Sequence, residues 1–223
     1  MIKKVILILV AITLPLVSFC APTQKKKANP TSKMINATRP IILLDAGHGG
    51  FDIGAKLKFP RVEEKQITLQ IAYLAKKYLD QMGYRVVLSR TKDTFIPLKR
   101  RVYMANKSNA ELFISFHFNS CPNKNIHGIE IFYHGNCKNK NRVKDSKKLA
   151  DVILSRMIYR TRASSRGVKN GNFCVIRDTK MPAVLIEGGF VTNNKELSKL
   201  RQRSYLDQLA RGIAEGIDRY VKS

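Results

Sequence analysis

Short apolar runs and helical apolar stripes alternate along this chain of 223 residues. The first apolar run, residues 41–44, is followed by Asp45 and a Gly-His-Gly-Gly turn, which is typical of a buried strand with a loop at its carboxyl end. Similar runs predict further strands at residues 84–88, 112–116, 128–133, 173–176 and 183–186.

Apolar residues spaced three and four apart predict helices between these strands. They begin at Glu64, at Pro97, near residue 146 and near residue 205. Strands that alternate with amphipathic helices form an α/β sheet covered on both faces. We therefore predict a single α/β domain with a twisted, mostly parallel or mixed sheet of about six strands and helices on both faces.

The N-terminus is typical of a secretory signal peptide, predicted here at residues 1–20. Lys3 and Lys4 precede an apolar run at residues 5–17, which is shorter than the roughly 20 residues of a membrane span. Cys20 either precedes the cleavage site or, because VSFC resembles a bacterial lipobox, carries a lipid. We expect export to the periplasm or cell envelope, with membrane attachment only through such a lipid.

Residues 21–39 are polar and basic and are predicted to form a flexible linker before a domain at residues 40–223. The chain has 41 Lys and Arg against 16 Asp and Glu, a formal net charge of +25. Such a surface favours polyanions, whether nucleic acid, acidic lipid or an acidic wall polymer. The sequence has no zinc-finger, RNP or helix-turn-helix pattern, so we expect no nucleic-acid partner.

Cysteines and two of the histidines contribute little to the predicted chemistry. Cys121 and Cys137 follow neighbouring predicted strands, so they either form a disulfide or remain two free thiols. Cys174 lies in an apolar run and is interpreted as a small buried residue. His127 and His134 flank a predicted strand and are interpreted as loop residues.

Reactive side chains follow three of the predicted strands: His48, His117 and Glu187. Glu64 begins a helix. Two imidazoles and a carboxylate are the ligands of catalytic zinc sites, where a fourth position stays open for water. A further carboxylate can transfer the proton. Taken singly, three of these residues have another interpretation: His48 as a turn histidine, His117 as a core histidine and Glu64 as a helix-dipole partner. A carboxylate after the apolar run AVLI is costly to bury unless it is paired or functional.

These motifs resemble those of the zinc-dependent N-acetylmuramoyl-L-alanine amidases of bacterial cell walls. LLDAGHGGFDIGA is similar to their first zinc motif, EEKQITLQIA to the helix that carries their glutamate ligand, and SFHFNS to their second histidine motif. TKMPAVLIEGGFVTN is similar to the strand with their catalytic glutamate. VVLSRTKDTFIPLKRRVYMAN and RGVKNGNFCVIRD also match in order. The resemblance extends from about residue 40 to 220.

The resemblance implies an α/β zinc amidase that cleaves the bond between N-acetylmuramic acid and L-alanine in peptidoglycan, in cell-wall remodelling and daughter-cell separation. It implies Zn²⁺ bound by His48, Glu64 and His117, with Glu187 as the catalytic carboxylate. Glu63 is the alternative to Glu64, which directly precedes a lysine as in the family motif. The implied partners are peptidoglycan or its lipid-linked precursor and a possible envelope activator protein.

Three residues depart from the family pattern. Ala46 stands where a proline is usual, Phe118 where a small residue follows the histidine, and Gly188 where a bulky apolar residue follows the glutamate. All three departures are compatible with the metal chemistry, but Phe118 and Gly188 could reshape the substrate groove. Some members insert an inhibitory helix between the second histidine and the glutamate. Here predicted elements already fill that interval, and we expect an uninhibited site.

Other functions fit parts of the sequence. A zinc peptidoglycan peptidase or deacetylase would use the same metal ligands, whereas a non-catalytic wall-binding module would not need Glu187. Ser89 and Lys92 also have the S-x-x-K spacing of penicillin-sensitive serine carboxypeptidases. That tetrad follows a predicted strand instead of opening a helix, and no companion motif is present.

Overall fold

A six-stranded mixed sheet forms the centre of the structure, a computed structural model that describes residues 39–57 and 62–223. The sheet order is β4-β1-β5-β8-β6-β7, and only the contact between β8 and β6 is antiparallel. The short strands β2 and β3 form a separate hairpin. The strands are β1 (Ile41–Ala46), β2 (Lys56–Leu57), β3 (Val62–Glu63), β4 (Arg85–Leu88), β5 (Leu112–Asn119), β6 (Ile129–Tyr133), β7 (Ser165–Asn170) and β8 (Ala183–Phe190).

Helices cover both faces of this sheet and enclose two apolar clusters. The long helices α1 and α3 both pack on α6 over the larger cluster, and α2 and α4 cover part of the opposite face. The helices are α1 (Glu64–Gln81), α2 (Leu98–Lys107), α3 (Lys140–Thr161), α4 (Cys174–Arg177), α5 (Asn194–Leu200) and α6 (Arg203–Val221). The predicted α/β domain with a mostly parallel sheet of six strands is confirmed.

The strand predicted at residues 173–176 is wrong. This segment forms the single turn α4, whose Arg177 N–H donates to Phe173 O at 2.8 Å. Val175 and Ile176 are buried in the smaller cluster, and a short apolar run does not by itself distinguish a strand from a buried helical turn. The strand of this region is β7, whose sequence SRGVKN has no apolar run.

The N-terminal predictions lie outside the described residues. They comprise the signal peptide, the state of Cys20 and the linker up to residue 38. Within the part of the chain that the structure describes, no helix is long and apolar enough to span a membrane.

Consecutive residues of β5 and β8 point to opposite faces of the sheet. Phe116, Phe118 and Ile186 belong to the larger apolar cluster beneath the long helices. His117 and Glu187 alternate with them and therefore point to the other face. That face is only partly covered by α2 and α4, so the alternation leaves the reactive side chains partly exposed.

Phe118 and Gly188 lie in the core and do not line the groove, so the expectation that they reshape it is wrong. Phe118 is 3% exposed and packs in the larger cluster. A Cβ atom added to Gly188 would lie 2.6 Å from Cε1 of the Phe118 ring. Phe118 on β5 thus fills the space that a side chain at position 188 on β8 would occupy. The two departures from the family pattern therefore compensate each other.

This compensation predicts strong coupling between the two positions. Phe118→Ala should lower the free energy of unfolding by about 3–5 kcal/mol because it leaves a cavity. Gly188→Leu should lower it by about 1–3 kcal/mol because it overpacks the core. The double variant should be more stable than the sum of the two losses predicts. Urea denaturation of the four proteins measures this, and strictly additive losses would contradict the pairing.

Candidate metal centre and active site

The loop after β1 carries His48 in an uncommon backbone conformation. His48 has φ of 59°, and Gly49 and Gly50 follow with φ of 128° and 60°. The left-handed region is unfavourable for a residue with a Cβ, so other interactions must hold His48 there. Gly47 is required for a different reason: an added Cβ would lie 2.5 Å from the His117 ring.

Two buried guanidinium groups hold this loop by its carbonyl oxygens. Arg90 Nε donates to Ala46 O at 3.0 Å, and Arg90 Nη2 donates to Gly47 O at 2.9 Å. Arg101 Nη1 and Nη2 donate to Ala46 O and His48 O at 2.6 and 2.7 Å. Charged donors make strong hydrogen bonds, and here they bind three successive carbonyl groups. The two arginines thus fix the backbone that carries His48.

Asp45 balances part of this buried positive charge. Its Oδ1 lies 2.6 Å from Arg101 Nη1, and its Oδ2 accepts a hydrogen bond from Ser115 Oγ at 2.8 Å. Burial by itself would raise the pKa of Asp45. The Arg101 charge and hydrogen bonds from Ser89, Arg101 and Ser115 outweigh this effect and lower that pKa.

Ser89 and Lys92 do not form the serine–lysine pair that S-x-x-K suggested. Ser89 is buried, and its Oγ accepts a hydrogen bond from Ala46 N at 3.2 Å. Lys92 is exposed in the loop after β4, and neither residue is helical. The serine therefore supports the end of β1, and the carboxypeptidase interpretation has no structural basis.

His48, Glu64 and His117 converge at the carboxyl ends of β1 and β5. Glu64 is the first residue of α1, and its Oε1 lies 3.1 Å from both His48 Nε2 and His117 Nδ1. One ligand atom from each residue lies within 4.8 Å of the others. Two imidazole nitrogens and a carboxylate oxygen fit a tetrahedral metal such as Zn²⁺ with one position left open. Glu63, by contrast, pairs with Lys65 Nζ at 3.6 Å.

The surroundings of Glu64 favour its ionised form. Burial alone would raise its pKa, but hydrogen bonds with His117 and His48 hold the pKa of Glu64 well below its usual value. Backbone N–H groups of Ala55 and Phe118 also donate to this carboxylate, at 2.8 and 3.0 Å. A buried carboxylate with this many donors is a fixed negative group.

Asp52 orients His48 and was not singled out from the sequence. Its Oδ1 lies 2.9 Å from His48 Nδ1 and accepts from Gly54 N at 3.2 Å. Burial would lower the pKa of His48, but hydrogen bonds and charge from Glu64 and Asp52 raise it. A carboxylate on one ring nitrogen leaves the other to bind a metal. The spacing of four residues in GHGGFD was the available signal.

Glu187 stands beside this cluster but outside its hydrogen bonds. It is the register partner of His117 across β5 and β8. Its Oε2 is buried and has no hydrogen-bond partner among the described residues. Burial, with the charges of Glu64 and Glu130, raises the pKa of Glu187 well above its usual value. A partly exposed carboxylate with one buried, unpaired oxygen and a raised pKa has the properties of a general acid or base.

The other histidines and the cysteines lie outside this cluster. His127 is exposed in a loop, and His134 follows β6 and lies 3.2 Å from Gly171 O. Both loop interpretations agree with the structure. All three described cysteines are free, so Cys121 and Cys137 form no disulfide here. Cys174 opens α4, is partly exposed and is not the buried strand residue predicted.

The interval between His117 and Glu187 contains β6, α3, β7 and α4. Residues 120–182 are all described, and they include no helix beyond these two. The long helix α3 packs on α6 at the opposite face of the sheet. The short α4 packs on α2 and contributes Val175 to a cavity of about 80 Å³ beside His48 and His117.

Comparison with known proteins agrees with this geometry. Residues 42–219 match Amidase_3, the family described as N-acetylmuramoyl-L-alanine amidase. The chain belongs to this family. Among relatives, LytC of Bacillus subtilis is 37% identical over 81% of the chain, which spans only 35% of LytC. The germination-specific N-acetylmuramoyl-L-alanine amidase of B. subtilis is 34% identical over 81% of the chain and 79% of its own length.

Solved amidase structures share the fold. An N-acetylmuramoyl-L-alanine amidase from Clostridium difficile 630 is 39% identical with a TM-score of 0.78, covering 83% of this chain and 98% of that one. The catalytic domain of CwlV from Bacillus (Paenibacillus) polymyxa var. colistinus is 36% identical with a TM-score of 0.76, covering 82% and 98%. This amidase-family chain therefore has the same fold as the catalytic domain of CwlV.

The buried pair of Asp45 and Arg101 gives a prediction about stability. Arg101→Met should lower the free energy of unfolding at pH 7 by about 3–5 kcal/mol, because it leaves a buried carboxylate without its cation. The folded pKa of Asp45 lies below its ordinary value of 3.8. The pair therefore contributes its full stability above that pH, and the contribution is lost as the pH falls through the folded pKa.

Urea denaturation at pH 7 and below pH 3 measures this effect, with the exposed Arg100→Met on the same helix as control. The loss in Arg101→Met should shrink at the lower pH, because the contribution of the ionised Asp45 is lost as the pH falls towards its lowered pKa. A loss that is equal at both pH values would show that the ion pair is not its cause.

Proposed function

We propose that this protein is a zinc-dependent N-acetylmuramoyl-L-alanine amidase that hydrolyses the bond between N-acetylmuramic acid and the L-alanine of the stem peptide in peptidoglycan. The observation that carries the proposal is the cluster of His48, Glu64 and His117 beside the unpaired Glu187. Membership of the amidase family favours this bond over those cut by peptidases and deacetylases with similar metal ligands.

In this proposal His48, Glu64 and His117 hold Zn²⁺, and Glu187 is the catalytic carboxylate. When bound there, zinc would polarise the substrate carbonyl and lower the pKa of the attacking water. Glu187 accepts the proton of the attacking water and returns it to the leaving amine of L-alanine. Its raised pKa makes it able to hold that proton between the two events. Asp52 keeps the His48 ring turned so that Nε2 points at Glu64.

We also infer a place and partners for this activity. The predicted signal peptide at residues 1–20 and linker at 21–39 would export the domain at 40–223 to the periplasm or cell envelope, with Cys20 as a possible lipid site. The net charge of +25 suits a wall polymer whose stem peptides carry carboxylates. The related CwlD of Clostridioides difficile was solved in complex with the GerS lipoprotein, which supports an envelope activator as a possible partner.

The first test concerns the metal. The purified wild-type protein should bind one zinc, and chelation should abolish activity that added zinc restores. His117→Ala should lose stoichiometric zinc because only two protein ligands remain. His127→Ala is the matched control, since His127 lies in an exposed loop outside the cluster. Full zinc occupancy in His117→Ala, measured by elemental analysis, would refute the ligand assignment.

The second test identifies the bond and the catalytic carboxylate. Mass spectrometry of digested peptidoglycan should show unmodified sugars and intact stem peptides that begin with L-alanine. Deacetylated sugars or shortened peptides would indicate the other hydrolase classes. A non-catalytic wall-binding module would release nothing.

Glu187→Gln should keep its zinc and its fold but lower turnover by about 100-fold or more, the size of a general acid–base contribution. Glu64→Gln should instead lose zinc affinity. The exposed Glu111→Gln serves as control. If Glu187→Gln lost the metal and Glu64→Gln retained it, the two roles would be exchanged.

A further inference from the structure

A row of polar side chains crosses the open face of the sheet beyond the proposed metal site. His117 on β5 is the register partner of Glu187 on β8, and Glu187 is in turn the partner of Glu130 on β6. Residues directly opposite on neighbouring strands point to the same face. The row therefore leads from the histidines, past Glu187, towards the sheet edge formed by β7.

Glu130 ends this row and binds two cations of the edge strand. Its Oε2 accepts hydrogen bonds from Arg166 Nε at 2.9 Å and from Lys169 Nζ. Its Oε1 accepts from Asn119 Nδ2 at 2.8 Å. Glu130 is 5% exposed, whereas the Arg166 and Lys169 side chains are 33% and 39% exposed. The carboxylate is thus buried, and the two cations are partly exposed to solvent.

This network has an excess of positive charge and unused donors. Two cations share one carboxylate, which leaves a net charge of about +1 at the groove. Arg166 uses Nε for Glu130 and stacks over Phe190 at 5.2 Å from the ring centroid. The Nη1 and Nη2 atoms of Arg166 have no hydrogen-bond partner among the described residues. A fixed guanidinium group with free donors matches the geometry of a carboxylate.

The separation between Glu187 and the two cations suits a stem peptide whose first amide lies at Glu187. Neighbouring strands lie about 4.8 Å apart, so β6 is one spacing and β7 two spacings from Glu187. An extended peptide advances about 3.3–3.6 Å per residue, which places the carboxylate of the second residue about 7 Å from the scissile nitrogen. The side chains of Arg166 and Lys169 reach back from β7 to Glu130 on β6, which brings their charged groups between one and two strand spacings from Glu187.

We propose that Arg166 and Lys169, held in place by Glu130, form a subsite for the free α-carboxylate on the second residue of the stem peptide. The inference rests on the proposed amidase function and deepens it. Glu130 acts as a positioning residue, because it contacts the two cations and not the substrate. Carboxylates further along the peptide lie beyond the reach of the subsite when the first amide is at Glu187.

Two soluble substrates that differ in one group test the subsite. They are N-acetylmuramoyl-L-Ala-D-Glu and the same compound with the α-carboxylate of the second residue converted to a carboxamide. The zinc-loaded wild-type protein should have a kcat/KM about tenfold higher for the free acid, chiefly through a lower KM. Lys169→Met and Arg166→Gln should each reduce this preference to within about twofold, through a larger loss for the free acid than for the carboxamide.

Lys144→Met, an exposed cation on α3, should keep the full preference. Glu130→Gln retains both cations but loses the charge that holds them, so it should weaken the preference while leaving the carboxamide reaction detectable. Equal losses for both substrates in the Arg166 and Lys169 variants would indicate a purely structural network and overturn the proposal. So would a wild-type protein that does not distinguish the two substrates.

A binding measurement separates failure of the subsite from failure of the amidase function. Titration of Glu187→Gln with the dipeptides L-Ala-D-Glu and L-Ala-D-isoglutamine by calorimetry should show tighter binding of the acid, lost when Lys169→Met is added. Cleavage of both substrates at equal rates would overturn the subsite and leave the amidase function standing. Absence of both cleavage and dipeptide binding would overturn both proposals.

Discussion

The candidate active site depends on the binding of three successive carbonyl groups by two buried arginines. Without Arg90 and Arg101, the backbone after β1 would bury carbonyl oxygens without hydrogen-bond partners. The hydrogen bonds that hold His48 at its unfavourable φ of 59° would also be lost. Burying two guanidinium groups is itself costly, and Asp45 with its hydrogen bonds offsets part of that cost. The position of His48 therefore depends on a network of charged side chains that is almost fully buried.

The period of two along β5 and β8 separates the site from the core. His117 and Glu187 face the groove, whereas Phe118 and Gly188 face the long helices. The core can therefore exchange volume between Phe118 and Gly188 without moving the reactive atoms. This explains how the chain departs from its family pattern next to both residues and keeps the arrangement of the site.

Sequence patterns predicted the elements in which apolar periodicity is strong, such as β1, β5, β8 and α1. They failed at β7, whose lysine and arginine are held by Glu130 on the neighbouring strand and not by apolar burial. The convergence of His48, Glu64 and His117 followed from strand ends at one edge of a sheet. Asp52 and the two buried arginines were missed because their roles depend on contacts between distant segments, which local patterns do not encode.

Three carboxylates lie near one another, Glu64 at the start of α1 and Glu187 and Glu130 on the paired strands β8 and β6, and their surroundings push their pKa values apart. Glu64 has histidine partners and Glu130 has cations, so the pKa of each is lowered although burial opposes this. Glu187 has neither kind of partner, and burial together with the charges of the other two raises its pKa. Carboxylates whose pKa values differ in this way can take different chemical roles. The two paired carboxylates remain fixed charges, and only Glu187 has a proton affinity suited to accepting and returning a proton, which is the physical basis for the proposed division of labour.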